Sequence, residues 1–91
     1  MKLTAEELQK IEEVSELHLS IEDIAIFIQR EINEVKASFR QKEAIYYAVM
    51  RGRLKTEIFI RKTRLQQAKQ GSTPAQADFD KLILKTKIKE M

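Results

Sequence analysis

Cysteine and tryptophan are absent from the 91 residues, and there is one histidine, one proline and only two glycines. Without cysteine there is no disulfide framework and no thiolate metal site. His18 would need carboxylates to complete a zinc site, so no metal is expected. The chain has no glycine loop that cradles phosphate and no nucleophile with a base partner. Glu12 and Glu13 are adjacent and point apart on a helix. These absences argue against an enzyme and against a cofactor. No apolar run approaches membrane-spanning length, and the first residues, MKLTAEELQK, lack the apolar core of a signal peptide. The expectation is a cytoplasmic protein with no membrane partner.

What is present is 43% hydrophobic and 34% charged, the balance of one small helical domain with a thin core. The net charge of +3 conceals an asymmetry. Residues 1–31 carry three basic against eight acidic residues, a net of −5; residues 32–91 carry fourteen against six, a net of +8. Such a division points to a polyanion partner or to a complementary self-contact.

Helical periodicity runs through most of the chain. Thr4 and Glu7 have capping-box spacing, and Leu8, Ile11, Val14 or Ser15, and Leu17 then recur at helical intervals. This predicts a first helix over about residues 4–17 with Glu6, Glu12, Glu13 and Glu16 on its exposed face. Ser20 is positioned to cap a second helix, which buries Ile21, Ile24, Ala25 and Ile28. Asn33 is the expected cap of a third, carrying Val35 and Phe39. From about residue 42 a long helix tolerates Gly52 at a cost of about 1 kcal/mol relative to alanine. Tyr47, Leu54, Ile58, Arg61, Leu65 and Ala68 form a seam along it for a partner helix. In KQGSTPAQ (residues 69–76) Gly71 suits a left-handed helix end, Ser72 or Thr73 a cap, and Pro74 the first helical position. Thr73 and Gln76 again have capping-box spacing. A last helix over about 74–89 places Ala75, Phe79, Leu82, Ile83 and Thr86 on one face and folds back as an αα-hairpin.

The fold expected is therefore all-α: a helix-turn-helix unit over residues 1–41, then a helical hairpin over 42–91 suited to self-association. In a helix-turn-helix pair a small residue lets the two helices approach. Ala25 stands at that position, flanked by Ile24 and Ile28, and Val35 follows ten residues after it. Two positions depart from the usual pattern. Gln29 stands where glycine is common in the turn and Arg30 where an apolar residue is common, so a longer or differently shaped turn is expected. The second helix of such a pair enters the major groove. The candidate DNA-binding residues are Arg30, Asn33, Lys36, Ser38, Arg40, Gln41 and Lys42, with Glu34 and Ala37 on the same helix. Asn and Gln pair adenine, and Arg or Lys pairs guanine. Glu34 is more simply a first-turn helix charge. Arg51, Arg53 and Lys55, continued by Arg61, Lys62 and Arg64, form a basic stripe that could hold phosphates without reading sequence. Tyr46 and Tyr47 fit packing better than base stacking.

Three stretches in order, LSIEDIAIFI, YYAVMRGRLKTEIFIRK and AKQGSTPAQADFDKLI, resemble the small-subunit terminases and related helix-turn-helix proteins of tailed bacteriophages and prophages. In those proteins a helix-turn-helix is followed by a Tyr-rich helix with the pattern carried here by Tyr46, Ala48, Gly52, Glu57 and Arg61. A joint of the kind formed here by Ala68, Gly71, Ser72, Ala75 and Gln76 leads to another helix. The resemblance covers roughly residues 19–85. It implies a non-catalytic subunit that binds double-stranded DNA at a viral packaging site and assembles as a homo-oligomer. Such a subunit passes the DNA to a large terminase subunit in the bacterial host cytoplasm. Two other readings fit the same residues. One is a small transcriptional regulator binding a symmetric operator as a two-fold dimer. The other is a helical oligomerisation or adaptor protein whose basic face meets an acidic protein or its own acidic N-terminal helix.

Overall fold

The computed structural model describes residues 1–71 and 73–90, apart from the side chains of Ala75 and Glu90. Five helices follow one another: α1 (Ala5–Ser15), α2 (Ile21–Phe27), α3 (Ile32–Arg40), α4 (Ala44–Lys69) and α5 (Thr73–Glu90). The fold is all-α, with no strand among the described residues. None of these helices is long and apolar enough to cross a membrane. Two compact units divide the chain, Met1–Thr56 and Glu57–Met91, so α4 contributes to both.

The first unit is built around seven fully buried apolar side chains: Ile11, Ile24, Ala25, Val35, Ile45, Ala48 and Val49. Leu3, Leu8, Val14, Leu19, Ile21, Ile28, Ile32 and Phe39 pack around them. All of α1 to α3 and the first turns of α4 share this core. The expected boundary after residue 41 therefore falls inside the unit, because Ile45, Ala48 and Val49 complete it.

Local chemistry accounts for the helix starts. The Thr4 hydroxyl accepts from Glu7 N–H while the Glu7 carboxylate accepts from Thr4 N–H, a complete capping box. Ser20 accepts from Asp23 N–H at 3.1 Å. The third cap differs from expectation. Glu31, not Asn33, takes the N-cap, its carboxylate accepting from Glu34 N–H at 2.9 Å. Asn33 is left in the first turn, exposed.

The helix ends show what a glycine-poor chain does. α2 closes with Gln29 N–H donating to Ile26 C=O and Arg30 N–H donating to Ala25 C=O, the paired bonds of a Schellman end. Gln29 sits at φ +59° to allow it. α3 ends in the same way, with Lys42 at φ +55° and Glu43 N–H donating to Ser38 C=O. His18 takes φ +56° after α1. The left-handed positions at these three ends are occupied by side-chain-bearing residues, and the connection from α2 to α3 is four residues long. The turn is thus of ordinary length; Gln29 adopts the conformation that glycine would. α1 ends at Ser15, earlier than expected. Ser15 rather than Leu17 faces the core, and Leu17 lies beyond the helix, 74% exposed.

Gly52 is a packing residue. A Cβ placed there would lie 2.2 Å from the Glu12 carbonyl oxygen and 2.6 Å from Ser15 Cβ, so α1 and α4 touch backbone to side at this point. The inward face of α4 is Ile45, Ala48, Val49 and Gly52; Tyr47 and Leu54 of the expected seam point the other way and are exposed.

In the second unit the end of α4 meets α5 antiparallel. Gln76 Nε2 donates to Ala68 C=O at 2.8 Å. Arg61 lies beside Phe79, Leu82, Ile83, Thr86 and Lys87. Gln76 therefore ties the two helices together instead of completing a capping box with Thr73. Gly71 has φ +90°, the left-handed helix end expected of it. Thr73 opens α5, which puts Pro74 in its second position. The alternative cap Ser72 and the burial of Ala75 lie outside the described residues.

Candidate nucleic-acid interface

α3 turns Val35 and Ser38 inward. Its outward residues are Asn33, Glu34, Arg40 and Gln41, with Lys36 and Ala37 half-buried beside them. Asn33, Lys36 and Arg40 gather with Ile21 and Phe39 around one shallow groove. Glu34, Ala37 and Gln41 line a second with Met1 and Glu43. Lys42 stands at the left-handed corner after α3, its ammonium 5.7 Å from the Tyr46 ring centre. Tyr46 is half-buried, its ring centre 5.2 Å from those of Phe39, which is tilted against it, and Tyr47, which meets it edge-on. It is a packing residue, as the sequence favoured.

Ser38 touches only the second of these grooves. It is 3% exposed and belongs to the core side of α3. Arg30 is also committed elsewhere. Its guanidinium donates to both Glu7 oxygens, at 2.9 and 3.0 Å, which fastens the α2–α3 turn to α1. This hydrogen bonding, with the Thr4 backbone donor next in importance, holds the Glu7 carboxyl far below its usual 4.5, at about 2. Lys36 donates to Glu22 at 2.5 Å and keeps that carboxyl ionised to lower pH.

The stripe that begins at Arg51 is the largest departure from the sequence reading. Glu12 is half-buried and faces α4, where Lys55 Nζ and Arg51 Nε each approach it at 2.6 Å. Those two hydrogen bonds lower its pKa, Lys55 more than Arg51. Arg53 donates to the Leu19 carbonyl at 3.1 Å, and the Thr56 hydroxyl donates to the Glu16 carbonyl. Residues 51–56 thus clasp the C-terminal end of α1, a place where orphan carbonyls and the helix dipole favour cationic donors. The partners lie 34 to 43 residues apart, which no local pattern reveals. Of the ten candidates, Asn33, Ser38, Arg40, Gln41 and Lys42 have side chains with no hydrogen bond or ion pair among the described residues, and of these five only Ser38 is buried.

No group of three or more metal-ligating side chains occurs among the described residues. Comparison of the chain with protein-family models, curated protein sequences and solved structures yields no match.

Proposed function

We propose that the chain is a non-catalytic, phage-type DNA-binding protein of the terminase small-subunit kind, with α3 as its reading helix. The observation that supports this most is the α2–turn–α3 unit. Ala25 and Val35 are fully buried between the helices, Gln29 is left-handed in the turn, and Asn33, Arg40 and Gln41 face outward. Glu31 supplies the cap, which leaves the Asn33 amide available to a base edge. Arg40 has the geometry to donate twice to guanine, and Asn33 or Gln41 to pair adenine. Lys42 at the corner is placed to meet phosphate.

The clasp at residues 51–56 favours one element of the adaptor reading, since the basic stripe does meet the acidic α1 of its own chain. It also reduces the expected salt dependence. Lys42 as a single phosphate contact would give a slope of log K against log salt near −0.9. The test is an anisotropy titration of a duplex selected from a random pool, beside an unrelated duplex, from about 50 mM salt upward. Arg40→Ala should cost roughly 1–3 kcal/mol on the selected duplex and far less on the unrelated one. Absence of binding to either duplex at the lowest salt refutes the DNA reading and leaves the adaptor.

A further inference from the structure

We infer that the hairpin groove receives the Leu17 corner of a second copy of the chain, giving a head-to-tail contact. Among the described residues of the second unit none is fully buried; Arg64, Leu65, Ala68, Phe79 and Leu82 are the half-buried ones. Ile58, Phe59, Ile60, Ile83, Leu84 and Ile88 are exposed. A two-helix pair draws its stability from packing an apolar face, and here that face is incomplete. The groove between α4 and α5 has an apolar floor of Phe79, Leu82 and Ile83, and Arg61 and Lys87 also line it. Its volume of about 270 Å³ lies below the roughly 300–1,000 Å³ of small-molecule sites and suits one or two inserted side chains.

The occupant is indicated by charge. Residues 57–91 carry eight basic against four acidic residues, a net of +4, so two hairpins facing each other would repel. The first unit offers the complement. Leu17 is 74% exposed and stands on a fixed corner. Its N–H donates to Val14 C=O, His18 N–H donates to Ser15 C=O, and the Thr56 hydroxyl holds the Glu16 carbonyl. Glu13 and Glu16 flank it, both exposed and in no ion pair among the described residues. An apolar knob between two carboxylates matches an apolar groove lined by Arg61 and Lys87. Because knob and groove are different surfaces, each copy can give one and receive the other, a heterologous contact. The inference does not depend on DNA binding.

The experiment is sedimentation velocity of the full chain at about 20–200 μM, the range that reads dissociation constants of tens of micromolar. Three variants accompany it: Glu13→Arg with Glu16→Arg, Arg61→Glu with Lys87→Glu, and Leu17→Asp. The wild-type mean mass should rise with concentration to at least twice 10.7 kDa and fall in about 0.5 M salt. Each variant should remain at the single-chain mass. A mixture of the two charge variants should regain assembly, since the unaltered knob of one meets the unaltered groove of the other and the two reversed surfaces are again of opposite charge. That mixture also shows that both variants are folded. A wild type of single-chain mass throughout, a mixture that stays monomeric, or Leu17→Asp assembling like wild type overturns the inference.

Discussion

The two glycines solve different problems, and substitution separates them. At Gly52 an added methyl meets the Glu12 carbonyl and Ser15 Cβ, neither of which is the far end of a flexible side chain. Gly52→Ala should therefore cost about 1–3 kcal/mol through overpacking, read as a fall in melting temperature of roughly 4–8 °C per kcal/mol. At Gly71 there is open space around a Cβ and the difficulty is φ +90°. Gly71→Ala should cost about 1 kcal/mol, and Gly71→Asn less, since Asn tolerates the left-handed region. Equal effects of alanine and asparagine at Gly71 would contradict the conformational explanation. Glu7 carries a pH signature. Its folded pKa is depressed from 4.5 to about 2, so the stability it contributes is fully present above about pH 4.5 and is lost as pH falls towards 2. Melting temperature measured across that window should decline less steeply in Glu7→Gln than in the wild type.

The elements show which sequence signals were legible. Thr4, Ser20 and Gly71 were readable because caps and left-handed ends act within a few residues. Ile24, Ala25 and Val35 were readable because close approach of two short helices requires a small residue and apolar neighbours at fixed spacing. Gln29 looked like a departure in the turn because the rule looks for glycine; His18, Gln29 and Lys42 adopt the same conformation at an energetic cost of about 1–2 kcal/mol each. Gln29→Gly should accordingly raise stability by up to about 1 kcal/mol, measured by chemical denaturation. A loss of stability would mean that the Gln29 side chain contributes something the turn geometry does not reveal. The clasp between α1 and residues 51–56 was not legible, because partners so distant in sequence leave no periodic trace. It changes what a substitution there does. Arg53→Ala removes the donor to the Leu19 carbonyl and should cost about 1 kcal/mol of stability. The salt slope of DNA binding should stay nearly unchanged. A slope shallower by about 0.9 with unaltered stability would restore Arg53 to the phosphate stripe.

At the scale of the whole molecule, the charge asymmetry visible in the sequence has two destinations. Glu7, Glu12 and Glu22 take up Arg30, Arg51, Lys55 and Lys36 within the first unit. The remaining basic excess lies in the second unit, whose apolar surface is uncovered. The all-α class and the helix order were legible from caps and periodicity. The division at Thr56/Glu57 was not, because α4 runs through it without a break and only packing distinguishes its two parts. The central proposal is that the open face of α3 meets DNA while the clasp remains structural. The most direct measurement is a backbone amide NMR spectrum titrated with a selected duplex at about 50 mM salt. Shifts should concentrate at Asn33, Ala37, Arg40, Gln41 and Lys42, with Arg51, Arg53 and Lys55 nearly still. Shifts concentrated at residues 51–55 with α3 unmoved, or no shifts at all, would contradict it.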